Sequence, residues 1–373
     1  MSWLFYALIC VFGWGLADLF YKKGTDPEDR YSHLKIAVWV GLVMGVTSMI
    51  LMPFSESKLL TGGLLSNGVR YLPASLGYII SMVIGYAGLR YLEISIVSPV
   101  QNASGAFSMI AMLVFFLVTG RITNFWEEYS YLDVIGTAVI VVGVLLLAIV
   151  EQHLSKEERS RIKNSSERKY RYGALALLFP ILYCVFDTIG TAADGIILDE
   201  EVGLGLGEID VLVLYGLTFF LAGIVAYVIL WIKEKKPYNP FAKKEWPKAA
   251  ASVAEQFGQV FYVFAMSRNP VLAAPVVAAY CIVSVLLSHL FLKERLKRNQ
   301  YLAILLVVAG ILLLGISEGL GEAEAVEEEE EAAEEIEEAF EERSAEQEAE
   351  RLLNDGFAGS VRVILNSGDK ISF

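Results

Sequence analysis

Ser252, Glu255, Gln256 and Gln259 fall at i, i+3, i+4 and i+7 inside the apolar run 247–267, so one helix face carries four hydrogen-bonding side chains, one of them a carboxyl. In lipid such a face is tolerated only against protein or water, because a charge near the bilayer midplane costs several kcal/mol (about 2.5–3.5 on insertion scales). Three chemistries are open to it: binding a polar substrate, loading and releasing a proton at Glu255, or holding helices together by hydrogen bonds. Asp18 and Asp187 raise the same question nearer the ends of their own runs. Each follows an aromatic residue by four positions, Trp14 and Tyr183, deep enough to stack on an organic substrate or simply to pack. Asp18 also has Lys22 one turn later as a candidate ion-pair partner. Gln101, Asn102 and Ser108 beside Pro99, and Tyr280, Ser284 and Ser288 at four-residue intervals, add neutral hydrogen-bonding groups.

These residues need membrane-length elements to hold them. A chain of 373 residues that is 55% hydrophobic, with mean hydropathy +0.52, cannot wrap its apolar surface in a polar coat. The apolar runs predict ten helices across a hydrocarbon core of about 30 Å, at 3–21, 33–54, 71–89, 95–118, 131–150, 172–192, 210–232, 247–267, 270–292 and 299–317. Trp3, Tyr71, Trp126, Tyr131, Tyr172, Trp231 and Trp246 fall at run ends and read as headgroup-level belts. Gly41 and Gly45 read as a close-packing face, as do the apolar helices 131–150 and 299–317, with homodimer contacts left open. Cys10, Cys184 and Cys281 read as buried small residues, and His33, His153 and His289 are too scattered for a metal site. No phosphate loop or nucleophile–base pair stands out. No cofactor, metal or nucleic-acid partner is therefore expected.

The net charge of −13 belongs to the tail. Residues 318–373 hold 19 acidic and 4 basic residues, leaving 24 acidic and 26 basic in 1–317. The Glu/Ala stretch 322–350 reads as a solvated arm, partly helical or disordered, and 360–373 could form a small hairpin. Of the 26 basic residues, 22 fall on one side of the ten-span arrangement; only Lys58, Arg70, Arg121 and Arg268 fall on the other. Basic residues are retained in the cytoplasm, which puts both termini and the tail outside.

A shift of 169 positions lays Trp14 on Tyr183 and Asp18 on Asp187. Arg90 and Arg268 end the third and eighth runs, Pro99 and Pro275 sit early in the fourth and ninth, and Gly143-Val-Leu-Leu-Leu147 echoes Gly310-Ile-Leu-Leu-Leu314. Two copies of an odd number of spans run through the membrane in opposite senses, the inverted-repeat plan of secondary transporters. Residues 288–314, in which an apolar run closes at Lys293-Glu294-Arg295-Leu296 and a Gly-containing apolar run begins at once, resemble the end of the EamA-type repeat of the drug/metabolite transporter superfamily. In the first copy Thr119-Gly120-Arg121-Ile122 lacks the Glu, so that turn is not carried over. The resemblance implies a substrate cavity lined by helices 1, 3, 4, 6, 8 and 9, where the polar residues above fall. It also implies termini in the cytoplasm, against the charge count.

The expectation is thus an all-α membrane protein: a first five-helix repeat at 1–150, a basic loop at 151–171, a second repeat at 172–317 and an acidic tail at 318–373. Its function reads as export of small organic metabolites across the cell membrane by alternating access, with proton coupling open. The alternative is a membrane-embedded enzyme, or a lipid-binding receptor acting through its acidic tail. Substrate, direction and coupling ion are not legible in the residues.

Overall fold

The computed structural model describes residues 2–26, 29–55, 63–92, 94–162, 178–293, 296 and 298–321, with 343 and 347 beyond them. Two compact units emerge, Met1–Ser317 and Glu318–Phe373. The Glu/Ala arm, the hairpin, most of the basic loop with Tyr172, and Glu294 and Arg295 of the turn lie outside the described residues.

Every described element is helical. In chain order they are α1 (Trp3–Gly24), α2 (Ser32–Leu51), α3 (Gly63–Gly88), α4 (Ile94–Asn102), α5 (Ser104–Thr119), the single turn α6 (Phe125–Glu128), α7 (Tyr131–Ile162), α8 (Leu178–Leu198), α9 (Glu208–Glu234), α10 (Trp246–Met266), α11 (Pro270–Ala278), α12 (Tyr280–Leu287) and α13 (Arg298–Gly321). Among the described residues, 8 helical stretches are long and apolar enough to cross a membrane, with α4–α5 contributing Val97–Thr119 and α11–α12 contributing Pro270–Leu292. α7 has a shorter apolar part, Tyr131–Leu147. α10 falls below the others because the Ser252–Gln259 face dilutes its hydropathy.

Local chemistry sets the ends. Ser2 caps α1 by accepting from the Phe5 amide at 3.3 Å, and Lys22 and Lys23 meet the carbonyl end of its dipole. Pro247 occupies the first turn of α10, where its missing N–H costs nothing. Lys235 takes left-handed backbone after α9, and Lys293 after the π-turn Ser288–Leu292 that extends α12, at φ 56° and 60°. α4 and α5 are parted by Ala103, and α11 and α12 by Ala279, each four residues after a proline, Pro99 and Pro275. At the second break the Ala279 amide reaches back only three residues, to the Val276 carbonyl at 3.0 Å.

Helix packing runs through glycines. α1 lies on α10, α2 on α9 and α3 on α8. A Cβ at Gly13 would come 2.9 Å from the Gly258 Cα, at Gly41 2.8 Å from the Gly223 Cα, and at Gly77 2.8 Å from the Gly190 Cα. Gly136 and Gly310 bring α7 and α13 together in the same way. Such contacts bring backbones close enough for dispersion to hold helices in lipid, where no hydrophobic drive exists.

Three placements differ from the sequence reading. Asp194, past the predicted end of its run at 192, belongs to α8 and is buried, as is Asp210 in the first turn of α9. The run-based boundary at 192 stopped six residues early, because the alternation of Asp194 with small residues looks like loop composition. Tyr71 is fully buried inside α3, which begins at Gly63, and so cannot be a headgroup belt residue. α7 continues through Ile162, so the first twelve residues of the basic segment extend a helix. Trp126, Tyr131, Trp231 and Trp246 remain more than half exposed, as belt residues are.

Candidate functional site

Glu255 stands at the centre, 3% exposed, on the α10 face that meets α1. The Gly13–Gly258 approach draws α1 in so closely that Trp14 Nε1 donates to the Glu255 carbonyl oxygen at 3.2 Å. From α3, the Tyr78 hydroxyl donates to Glu255 Oε1 at 3.1 Å. Asp18, one turn beyond Trp14, accepts from the Ser98 hydroxyl of α4 and the Ser284 hydroxyl of α12, both at 2.7 Å on Oδ2. Lys22 Nζ donates to the Leu89 carbonyl at 2.8 Å and also to that of Leu92. Asp187 of α8 accepts from Ser104, the first residue after the α4–α5 break, at 2.6 Å on Oδ2.

Two small cavities separate these carboxyls, each of about 20 Å³, the room of a single water. Asp18, Glu255 and Gln101 line the first; Asp187, Asn102 and Ser104 line the second. Trp14, Tyr78, Tyr183 and Tyr280 wall both. Trp14 stacks on Tyr262 with centroids 5.1 Å apart and meets Tyr280 edge-on at 5.6 Å. The Tyr183 hydroxyl points at Met82 Sδ, 3.6 Å away.

Of the residues singled out by sequence, Glu255, Asp18, Asp187, Trp14, Tyr183, Gln101, Asn102 and Tyr280 converge on the two cavities. Ser252, Gln256 and Gln259 are buried on the same helix but line neither. Ser252 bonds back to the Lys248 carbonyl at 2.8 Å, while both amide atoms of Gln259 lack partners. The sequence reading missed Tyr78, Tyr21 and Tyr86, although Tyr71, Tyr78 and Gly85 recur every seven residues on one face of α3. It also missed the Asp194–Tyr71 pair, with the hydroxyl donating at 2.6 Å, although Asp187, Thr191 and Asp194 follow the i, i+4, i+7 rule that marked α10.

The two ends of the bundle differ. At one, a vestibule of about 460 Å³ is lined by residues of the loops after α5, α8 and α10. There Arg121 pairs with Asp199 at 3.2 Å and Glu201 at 3.6 Å, and Arg268 with Glu208 at 3.2 Å. Beneath it Gly195 lies against Met112 and Met266, both fully buried. At the other end Lys35 bridges Asp29 and Glu234, both at 2.7 Å. Burial alone would raise the Asp29 carboxyl, but the Lys35 ammonium and the Tyr31 amide outweigh it and hold it below the ordinary range.

Residues 202–316 match the model of the EamA-like transporter family, a stretch that contains α9 to α12 and hence Glu255, Tyr280 and Ser284. A comparison with curated proteins finds no match. Among solved structures, a crystal structure of a protein 12% identical to this chain overlaps 84% of it and 96% of its own length at a TM-score of 0.54. That likeness concerns the fold alone.

Proposed function

We propose that this chain is an EamA-type secondary transporter of the drug/metabolite transporter superfamily that exports small organic metabolites across the cell membrane by alternating access. The observation that carries the reading is the convergence of Glu255, Asp18 and Asp187 on two small cavities inside the bundle. Carboxyls are retained in mid-membrane at such cost where they line an ion or substrate path. The helix pairing supports two inverted five-helix halves, 1–150 and 172–317. First-half helices one, two and three pack on second-half helices three, two and one through the glycine pairs, as a two-fold axis in the membrane plane requires. Counting α4–α5 and α11–α12 as one span each and including α7 and α10 gives ten.

In this reading Glu255 loads a proton when the cavities open to one side and releases it to the other, which couples transport to a pH gradient. Asp18 and Asp187, at equivalent repeat positions, act as gates for opposite mouths. Proteoliposomes with a trapped pH dye test it: a pool of amines, amino acids and nucleosides should elicit proton movement with the wild-type protein and none with Glu255→Gln. A response equal in both, or equal to that of protein-free liposomes, overturns the coupling. The skew of basic residues supports the vestibule face and the tail lying outside. Cysteine labelling of intact cells should then reach a tail position and fail within 156–169; the reverse pattern inverts the topology.

A further inference from the structure

The pairing of a tyrosine with an aspartate at the second cavity is repeated one heptad nearer the vestibule. α3 and α8 pack side by side through Gly77 and Gly190. Seven residues back along α3 from Tyr78 stands Tyr71, and seven residues on along α8 from Asp187 stands Asp194, a step of about 10 Å in each helix. Tyr78 and Asp187 share the wall of the second cavity; at the upper level the Tyr71 hydroxyl donates to Asp194 Oδ1 at 2.6 Å. Tyr262 of α10 joins the two levels. Its ring walls the second cavity and stacks on Trp14, while its hydroxyl reaches both Thr191 and the Asp194 carboxyl. The titratable groups that face Asp194 are Tyr71 from α3, Tyr215 from α9 and Tyr262 from α10, with Asp187 two turns away on its own helix. α5 and α11 bring Met112 and Pro270 against the neighbouring Gly195. One turn further along α8, Leu198 and Asp199 line the vestibule. A carbonyl or an amide would accept from the two phenols at a far smaller desolvation cost than a carboxyl that is 3% exposed. What the carboxyl adds is a place to hold a proton.

We propose that Asp194 is a second proton station, which relays protons between the central carboxyls and the vestibule through the Tyr262 hydroxyl. The proposal rests on the proton-coupled transporter reading and supplies its route on the vestibule side. In one transfer the O–H bond of protonated Asp187 breaks and its proton joins a water in the second cavity, which has room for one. That water gives a proton to Tyr262 Oη, and the former hydroxyl proton of Tyr262 forms the new O–H bond on Asp194. One proton has moved: Asp187 is left a carboxylate and Asp194 a carboxylic acid, with water and phenol unchanged. The proton leaves when Met112 and Met266, which pack on Gly195, part and let vestibule water reach Asp194. The reverse sequence loads the centre from the vestibule.

Difference infrared spectra of the purified full-length protein between acid and alkaline buffer should contain a carboxylic-acid band that Asp194→Asn removes and Tyr71→Phe shifts. In proteoliposomes with the trapped pH dye and the pool of amines, amino acids and nucleosides, Asp194→Asn should slow proton movement by about a hundredfold, the lower end of what a positioned proton carrier contributes. Exchange of labelled pool compounds should keep its wild-type rate. Tyr262→Phe, which keeps the ring on Trp14, should act likewise, and Asp194→Glu should restore most of the proton movement. Exchange that falls together with proton movement, or proton movement undiminished in Asp194→Asn, makes Asp194 a structural acceptor for Tyr71 and overturns the relay. A spectrum that Asp194→Asn leaves unchanged overturns it too. If melting shows that Asp194→Asn does not fold, Tyr262→Phe decides: undiminished proton movement in that variant overturns the relay. A wild-type protein that moves neither pool compounds nor protons while showing the Asp194 band keeps the proton station and removes the transporter reading.

Discussion

α1 meets α10, and α7 meets α13, by the same device and to opposite ends. In both pairs a glycine faces a glycine: a Cβ on Gly13 would lie 2.9 Å from the Gly258 Cα, and one on Gly310 would lie 2.6 Å from the Gly136 carbonyl oxygen. Around the second contact Ile140 and Leu314 are fully buried, and the polar groups nearby are neutral hydroxyls: Thr137, next to Gly136, and the Ser130–Ser317 pair at 2.6 Å. Around the first there are Trp14, Glu255 and, through Tyr78, a third helix. Close backbone approach, with apolar packing and neutral hydroxyls, is thus enough to hold helices together in lipid. A carboxyl added to the same geometry contributes nothing that adhesion requires, and in the proposed function α1 and α10 are the pair that carries transport.

The sharpest way to break this contrast is Glu255→Gln. It keeps the shape and the Tyr78 contact, and should abolish proton-driven accumulation in proteoliposomes while substrate exchange and the melting temperature persist. Uphill transport with unchanged pH dependence would make Glu255 an adhesive residue like those of α7 and α13. Gly310→Val should do the converse. Overpacking against the α7 backbone should cost about 1–3 kcal/mol, read as a lower melting temperature in detergent with the proton-to-substrate ratio unchanged. Asp18→Asn and Asp187→Asn should bias the bundle toward opening on opposite faces, shifting the accessibility of a cavity cysteine by about fivefold in opposite directions. Shifts of the same sign would end the symmetric-gate reading.

The smallest effect belongs to the rim. Asp29 is held below its ordinary range by Lys35, so its contribution to stability is full above the unfolded value of about 3.9 and is lost as the pH falls through the folded one. Asp29→Asn should therefore lower stability at neutral pH by about 0–1 kcal/mol and flatten the acid limb of the melting curve. An unchanged acid limb would assign it to other carboxyls.

What the sequence could reveal followed from what lipid forbids. Polar groups in apolar runs are expensive, so Glu255, Asp18 and Asp187 stood out, and all three line the cavities. The repeat register stood out too, because prolines and Asp residues keep their spacing through drift. Asp194 and Asp210 did not, since a carboxyl near a run's end resembles a loop until a partner such as Tyr71 or Ser55 is seen across the bundle. Tyr78 was hidden for the opposite reason: a tyrosine in an apolar run is unremarkable, and its bond to Glu255 spans 177 positions of sequence. Propensity has no access to such a distance.

The breaks at Ala103 and Ala279 carry a mechanical consequence. Each divides a span into two short rods, and the residue just after each break, Ser104 or Tyr280, belongs to the cavities. A rod of nine residues such as α11 is about 13 Å long, so a flex of about 10° at its root swings the far tip by about 2 Å. The root itself hardly translates. The bundle therefore has leverage built in at two places: small rotations at the centre, where Ser104 and Tyr280 line the cavities, become larger displacements toward the rims.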